Sequence, residues 1–117
     1  MEQWEAVCRV EDIPRLGARR LEHAGLTPVA VFRAADDAIF ALVDRCPHKG
    51  GPLSQGIVFT RSVACPLHNW TIGLEDGCAA APDKGCAPTI GVRLVDGVVH
   101  LNLAQIEALT ASAQAGP

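Results

Sequence analysis

Two short segments of this chain pair a cysteine with a histidine, and little else in it is equipped for chemistry. One residue separates Cys46 from His48, two separate Cys65 from His68, and sixteen lie between His48 and Cys65. Two thiolates and two imidazoles make a complete four-ligand set. Such a set can hold tetrahedral zinc, or a [2Fe–2S] cluster in which two histidines replace two cysteines on one iron. Zinc fingers gather their cysteines in one element and their histidines in another. Here each segment mixes the two, which favours the two-iron cluster. Each loop would then give one thiolate to the inner iron and one imidazole to the outer, valence-changing iron. Gly50 and Gly51 would let backbone N–H groups approach the cluster sulfides, since no side chain stands in the way. The chain has no G-x-G-x-x-G fingerprint and no nucleophile with an obvious base beside it. It therefore holds no complete active site of its own.

Loops that do chemistry need a rigid scaffold beneath them, and the rest of the sequence supplies one. With 117 residues, 49% hydrophobic and 20% charged, the chain is one domain able to bury a core without staples. Short apolar runs recur at 4–8, 28–32, 38–43, 62–65, 92–95 and 98–101. Ile13-Pro14 punctuates a turn, Asp36-Asp37 turns the second run into the third, and Asp96-Gly97 between the last two is the strongest hairpin signal. The pattern predicts an all-β sandwich or barrel. One short peripheral helix is expected late: Asn102 as N-cap, Gln105 reaching back to it, Ile106 and Leu109 on one face. The expected organisation is a single domain over 1–111 and a flexible C-terminal tail over 112–117.

A net charge of −3 without a basic stripe argues against nucleic acid. No apolar run approaches a membrane span, and the first residues lack the features of an export signal. A cytoplasmic protein is expected. Five cysteines are an odd count that speaks against a disulfide framework. Cys8, Cys78 and Cys86 are expected as reduced thiols packed like small apolar groups, with a redox pair or extra metal site as the rival for Cys78 and Cys86. His23 reads as a surface turn residue, His100 as a strand residue facing solvent or making a hydrogen bond, and Trp70 as core. Pro52, Leu53, Pro66 and Leu67 are expected as an apolar collar around the outer iron with Lys49 on its rim, shielding the cluster and offering a docking patch.

The run Cys46-Pro47-His48-Lys49-Gly50-Gly51-Pro52-Leu53-Ser54-Gln55-Gly56-Ile57-Val58, followed by Cys65-Pro66-Leu67-His68-Asn69-Trp70, resembles the Rieske [2Fe–2S] family, and within it the small subunit of NAD(P)H-dependent nitrite reductase. Gly85-Cys86-Ala87-Pro88-Thr89-Ile90 is similar to a Gly-Cys-x-x-Thr-Ile stretch of that subunit, and the likeness runs over about residues 4–103. It implies the Rieske fold: stacked antiparallel sheets, two cluster-binding loops at a tip and a short C-terminal helix. It implies a Rieske-type [2Fe–2S] cluster on Cys46, His48, Cys65 and His68, all four of which this chain keeps although some members have lost them. As partner it implies the large flavin- and sirohaem-bearing nitrite reductase subunit that reduces nitrite to ammonia. High-potential relatives place a second cysteine in each loop and aim Ser and Tyr hydroxyls at the sulfurs; this chain has no tyrosine and no second loop cysteine. The couple is therefore expected near the low end of the Rieske range, about −150 mV. Gly91 stands where the family pattern has proline. The alternatives are a stand-alone Rieske ferredoxin serving an aromatic-ring dioxygenase and, in another class, a non-redox, zinc-stabilised interaction module.

Overall fold

The computed structural model describes residues 4–22, 25–47, 51–66, 70–81 and 84–115. Ten strands and one α-helix follow in order: β1 (Trp4–Arg9), β2 (Gly17–Leu21), β3 (Val29–Arg33), β4 (Ile39–Val43), β5 (Ile57–Phe59), β6 (Ser62–Ala64), β7 (Thr71–Gly73), β8 (Thr89–Ile90), β9 (Val92–Val95), β10 (Val98–Asn102) and α1 (Leu103–Ala115). They form three antiparallel sheets with orders β1-β10-β9, β2-β3-β4-β8 and β5-β6-β7. The all-β expectation holds.

The central sheet explains the architecture. In a strand, alternate side chains point to opposite faces, and β3 is apolar on both. Val29 and Val31 face one core together with Ile39, Ala41 and Val43 of β4, and with Val99 and Leu101 of β10. Ala30, Phe32 and Leu42 face the other, with Val58, Val63 and Ile72 of the small sheet. One sheet thus serves as the shared floor of two cores, and the second core contains Cys46 and Cys65.

Turn chemistry sets the hairpins. Asp96 and Gly97 both take positive φ, 51° and 76°, the geometry a two-residue hairpin needs to match strand twist. Asp37, at φ 66°, closes the β3–β4 turn, where its carboxylate accepts from Arg15 and Arg33. These donors, Arg15 first, hold the Asp37 carboxyl below its usual range. Arg61, in the β5–β6 turn, pairs with Asp36 of the β3–β4 turn and with Glu75 beyond β7, tying the small sheet to the central one.

At the C-terminal end, the Gln105 N–H donates to Asn102 Oδ1 at 3.2 Å, so Asn102 is the N-cap. The reciprocal half of the expected capping box is absent: Gln105 Oε1 accepts instead from the Gly91 N–H at 2.6 Å. Ile106 is buried in the first core with Leu109 against it. The Thr110 hydroxyl donates to the Ile106 carbonyl and accepts from the Thr27 N–H, both at 2.8 Å. The helix continues to Ala115, longer than expected. No helix among the described residues is long and apolar enough to cross a membrane.

Removing the cap tests the helix junction. Asn102→Ala should lower unfolding free energy by about 1 kcal/mol and Asn102→Gly by only a few tenths, read from the shift of a urea midpoint at unchanged slope.

Candidate metal centre

Both cysteine loops leave the ends of strands that floor the second core. The first follows β4 and the second follows β6. The two close in the same way. The Cys46 N–H donates to the Gly51 carbonyl and the Cys65 N–H to the Trp70 carbonyl, each at 2.8 Å. In each case the cysteine bonds to the residue five positions on, enclosing 47–50 in one loop and 66–69 in the other. Cys46 is 2% exposed and Cys65 1% exposed, and both belong to one apolar cluster with Leu53, Leu74 and Ala87, against which Trp70 packs. Trp70 is partly buried at the edge of that cluster rather than inside it. Two thiols buried in a single apolar wall suit a two-iron cluster, because such a wall keeps water from the thiolate-bound iron. His48, His68, Lys49, Gly50, Leu67 and His23 lie outside the described residues.

The first loop has an anchor that sequence reasoning missed. Asp44, two positions before Cys46, has a side chain with no solvent exposure. It accepts from the Ser54 N–H at 2.7 Å, the Ser54 hydroxyl at 2.6 Å and Arg20 Nη1 at 2.7 Å. A buried carboxylate is tolerated only when donors surround it. Ser54 lies in the 3₁₀ turn Leu53–Gln55 just beyond the loop, so the carboxylate stitches together the two ends of the segment bearing Cys46. The signal was present in sequence: a lone acidic residue ending an otherwise apolar strand, with a serine ten residues on.

Two expectations are corrected. Cys78 and Cys86 are not separate thiols; they form a disulfide between directly opposed residues of a narrow antiparallel pairing. The odd cysteine count misled, because it does not exclude one bridge beside three other cysteines. Leu53 is not part of an exposed collar: it is wholly buried in the second core, where a 3₁₀ turn directs it inward. Pro66 is exposed and Pro52 half-buried. Cys8, on β1, is a partly buried thiol whose pKa burial pushes up, with Arg19 opposing. His100 sits on β10 with Nδ1 3.2 Å from the Val98 carbonyl. Among the described residues no three His, Cys, Asp or Glu side chains are grouped to hold a metal elsewhere.

The anchor is testable by truncation. Asp44→Ala strands the Ser54 N–H and should cost about 2 kcal/mol of unfolding free energy. Ser54→Ala, which keeps that N–H bond, should cost less; urea unfolding measures both.

Comparisons with known proteins agree with this geometry. The sequence profile of the Rieske [2Fe-2S] domain matches residues 3–98. The anthranilate 1,2-dioxygenase ferredoxin subunit of Burkholderia cepacia is 40% identical over 81 residues, covering 68% of this chain and 74% of that protein. A structure of the complex of oxygenase and ferredoxin in carbazole 1,9a-dioxygenase superposes with a TM-score of 0.76 at 27% identity, over 85% of this chain and 92% of that one. A structure described as an NADH-dependent nitrite reductase small subunit from Mycobacterium tuberculosis shares the fold, with a TM-score of 0.76 at 22% identity over 86% of this chain and 95% of that one. The buried cysteine pair, the matching hydrogen bonds of the two cysteine N–H groups and these relatives lead to one assignment: the chain belongs to the Rieske [2Fe–2S] family of electron-transfer domains, which bind a [2Fe–2S] cluster.

Proposed function

We propose that this chain is the electron-transfer small subunit of an NAD(P)H-dependent nitrite reductase, carrying one electron at a time to a larger flavin- and sirohaem-bearing subunit in the cytoplasm. Cys46 and Cys65 would hold the inner iron, and His48 and His68 the outer one. The cluster supplies a single-electron couple. The chain's own residues do the rest: the apolar wall of Leu53, Leu74 and Ala87 excludes water from the thiolates. Asp44 braces the approach to Cys46 through Ser54 and Arg20, and each cysteine N–H is held by the carbonyl five positions on. The observation carrying the assignment to a nitrite reductase is the segment Gly85-Cys86-Ala87-Pro88-Thr89-Ile90, similar to a stretch of that subunit. It is also a neighbour of the first loop: a Cβ built on Gly85 would lie 3.0 Å from Pro47 Cβ. The fold shared with the Mycobacterium tuberculosis protein is consistent with this reading.

A second reading rests on a separate observation. The 40% identity to a dioxygenase ferredoxin subunit favours a carrier that serves an aromatic-ring oxygenase. Co-purification separates the two. Pulled from its native cells grown on nitrate, the chain should bring down a sirohaem-containing subunit. Recovery of an oxygenase component from cells grown on an aromatic carbon source would favour the second reading and defeat the first.

The ligand assignment makes its own prediction. Cys46→Ser, Cys65→Ser, His48→Ala and His68→Ala should each abolish the visible absorbance of the brown protein and its reduced-state EPR signal. Cys8→Ser should leave both unchanged. A colourless wild type with one zinc per chain would overturn the assignment.

A further inference from the structure

The Cys78–Cys86 disulfide has no part in holding a cluster, and its surroundings assign it another role. The bond clasps a small hairpin. On one side of it the Ala87 N–H donates to the Gly77 carbonyl at 2.7 Å; on the other the Ala79 N–H donates to the Gly85 carbonyl at 2.9 Å. These two bonds and the disulfide are the cross-links between 77–79 and 85–87 among the described residues. A pairing so short is marginal without a staple. Cys86 is exposed and Cys78 half-buried, whereas the cysteines of the second core are almost wholly covered.

What the clasp holds in place lies against Pro47, the residue that follows Cys46. Gly85 takes φ +126°, and a Cβ there would stand 3.0 Å from Pro47 Cβ, so this backbone runs directly over the residue following Cys46. Only glycine combines that conformation with so close an approach. Gly77, at φ +73°, brings its Cα so near the Ala87 carbonyl oxygen that a Cβ would lie 2.1 Å from it. The hairpin therefore depends on tight backbone contact at one end and lies close beside Pro47 at the other.

We infer that Cys78–Cys86 is a thiol–disulfide exchange site for a dithiol reductant, and that opening it loosens the backbone around Cys46. The exchange is balanced. A dithiol thiolate attacks the sulfur of exposed Cys86, breaking the Cys78–Cys86 bond and forming a mixed disulfide. The second thiol of the reductant closes on the first, releasing Cys86. Two electrons pass from the dithiol to the bond, its two protons end on Cys78 and Cys86, and the reductant leaves as a cyclic disulfide. The protein consequence follows from geometry: with the clasp open, the strands carrying Gly85 and Gly77 part, and Pro47 loses its cover. The exchange reaction needs nothing from the proposed electron-transfer role. Its meaning for a cluster rests on Cys46 being a ligand.

Dithiothreitol in native buffer is the probe, read by thiol alkylation with mass spectrometry and by hydrogen exchange of the Cys46 amide. Reduction should expose two alkylatable cysteines, mapped to Cys78 and Cys86, and should speed exchange of the Cys46 N–H about tenfold, with the Cys65 N–H unchanged as internal control. Cys86→Ser should show the fast exchange without reductant. If Cys78 and Cys86 label only in denaturant, the bond is a fixed staple and the exchange site is refuted. If both label while Cys46 exchange stays constant, the coupling to the loop is refuted. Neither readout depends on a nitrite reductase partner, so failure of the functional proposal is seen separately.

Discussion

The structure depends on one constraint: two cysteines must be sunk in an apolar core while the backbone that carries them leaves the core at once. A small apolar thiol gains from cover, yet each backbone N–H beside it needs a partner. The two loops meet both demands with the same device. Each cysteine N–H is satisfied by the carbonyl five residues on, and both cysteines are almost wholly buried. The hydrogen bond that closes the loop is also what allows the cysteine to be buried.

From that device the rest of the architecture follows. A core deep enough to cover two sulfurs needs a floor, and the small three-stranded sheet is too short to supply one alone. The central sheet lends its second face, through Ala30, Phe32 and Leu42, while its first face packs against the β1-β10-β9 sheet. Antiparallel sheets often leave one face to water; this one does not. Asp44 stands where the floor ends and the first loop begins. A buried carboxylate is costly unless fully paired, and its three donors come from β2, through Arg20, and from Ser54 beyond the loop. That polar knot fixes where the loop leaves the sheet.

Much of this was legible in the residues. The mixed Cys/His spacing located the loops, Asp96-Gly97 placed the β9–β10 hairpin, the apolar run at 28–32 marked a strand buried on both faces, and Asn102 announced the helix. What escaped did so for identifiable reasons. Strand β2 carries Arg19 and Arg20 and lies at a sheet edge, where charge guards an open strand against unwanted pairing and erases the apolar signal. Strand β5 exposes Ile57 and Phe59, inverting the usual inside–outside pattern. Its turn to β6 uses Thr60 at φ 50°, a residue whose branched side chain normally avoids that region. The Cys78–Cys86 pairing depends on two glycines whose close backbone approaches no spacing rule reveals.

The departure at Gly91 shows how a local exception is absorbed. A proline there would have no N–H to give. Gly91 donates to Gln105 Oε1 and, through its carbonyl, accepts from the Asn102 N–H. Gln105 is thereby drawn away from the back-capping role its spacing suggested, and the helix start is fastened to the β8–β9 junction by side chain and backbone together. The fastening matters beyond the helix. Strand β8 is only two residues long, pairs with Ala41 and Leu42 of β4, and is extended by the Val43 N–H bonding to the Pro88 carbonyl. So short a strand has little intrinsic persistence, and the bonds at Gly91 tie its C-terminal end to the end of β10 and the start of the helix. Gly91 thus gives an N–H that a proline would lack, and with it a second tie between the β8–β9 junction and the helix start.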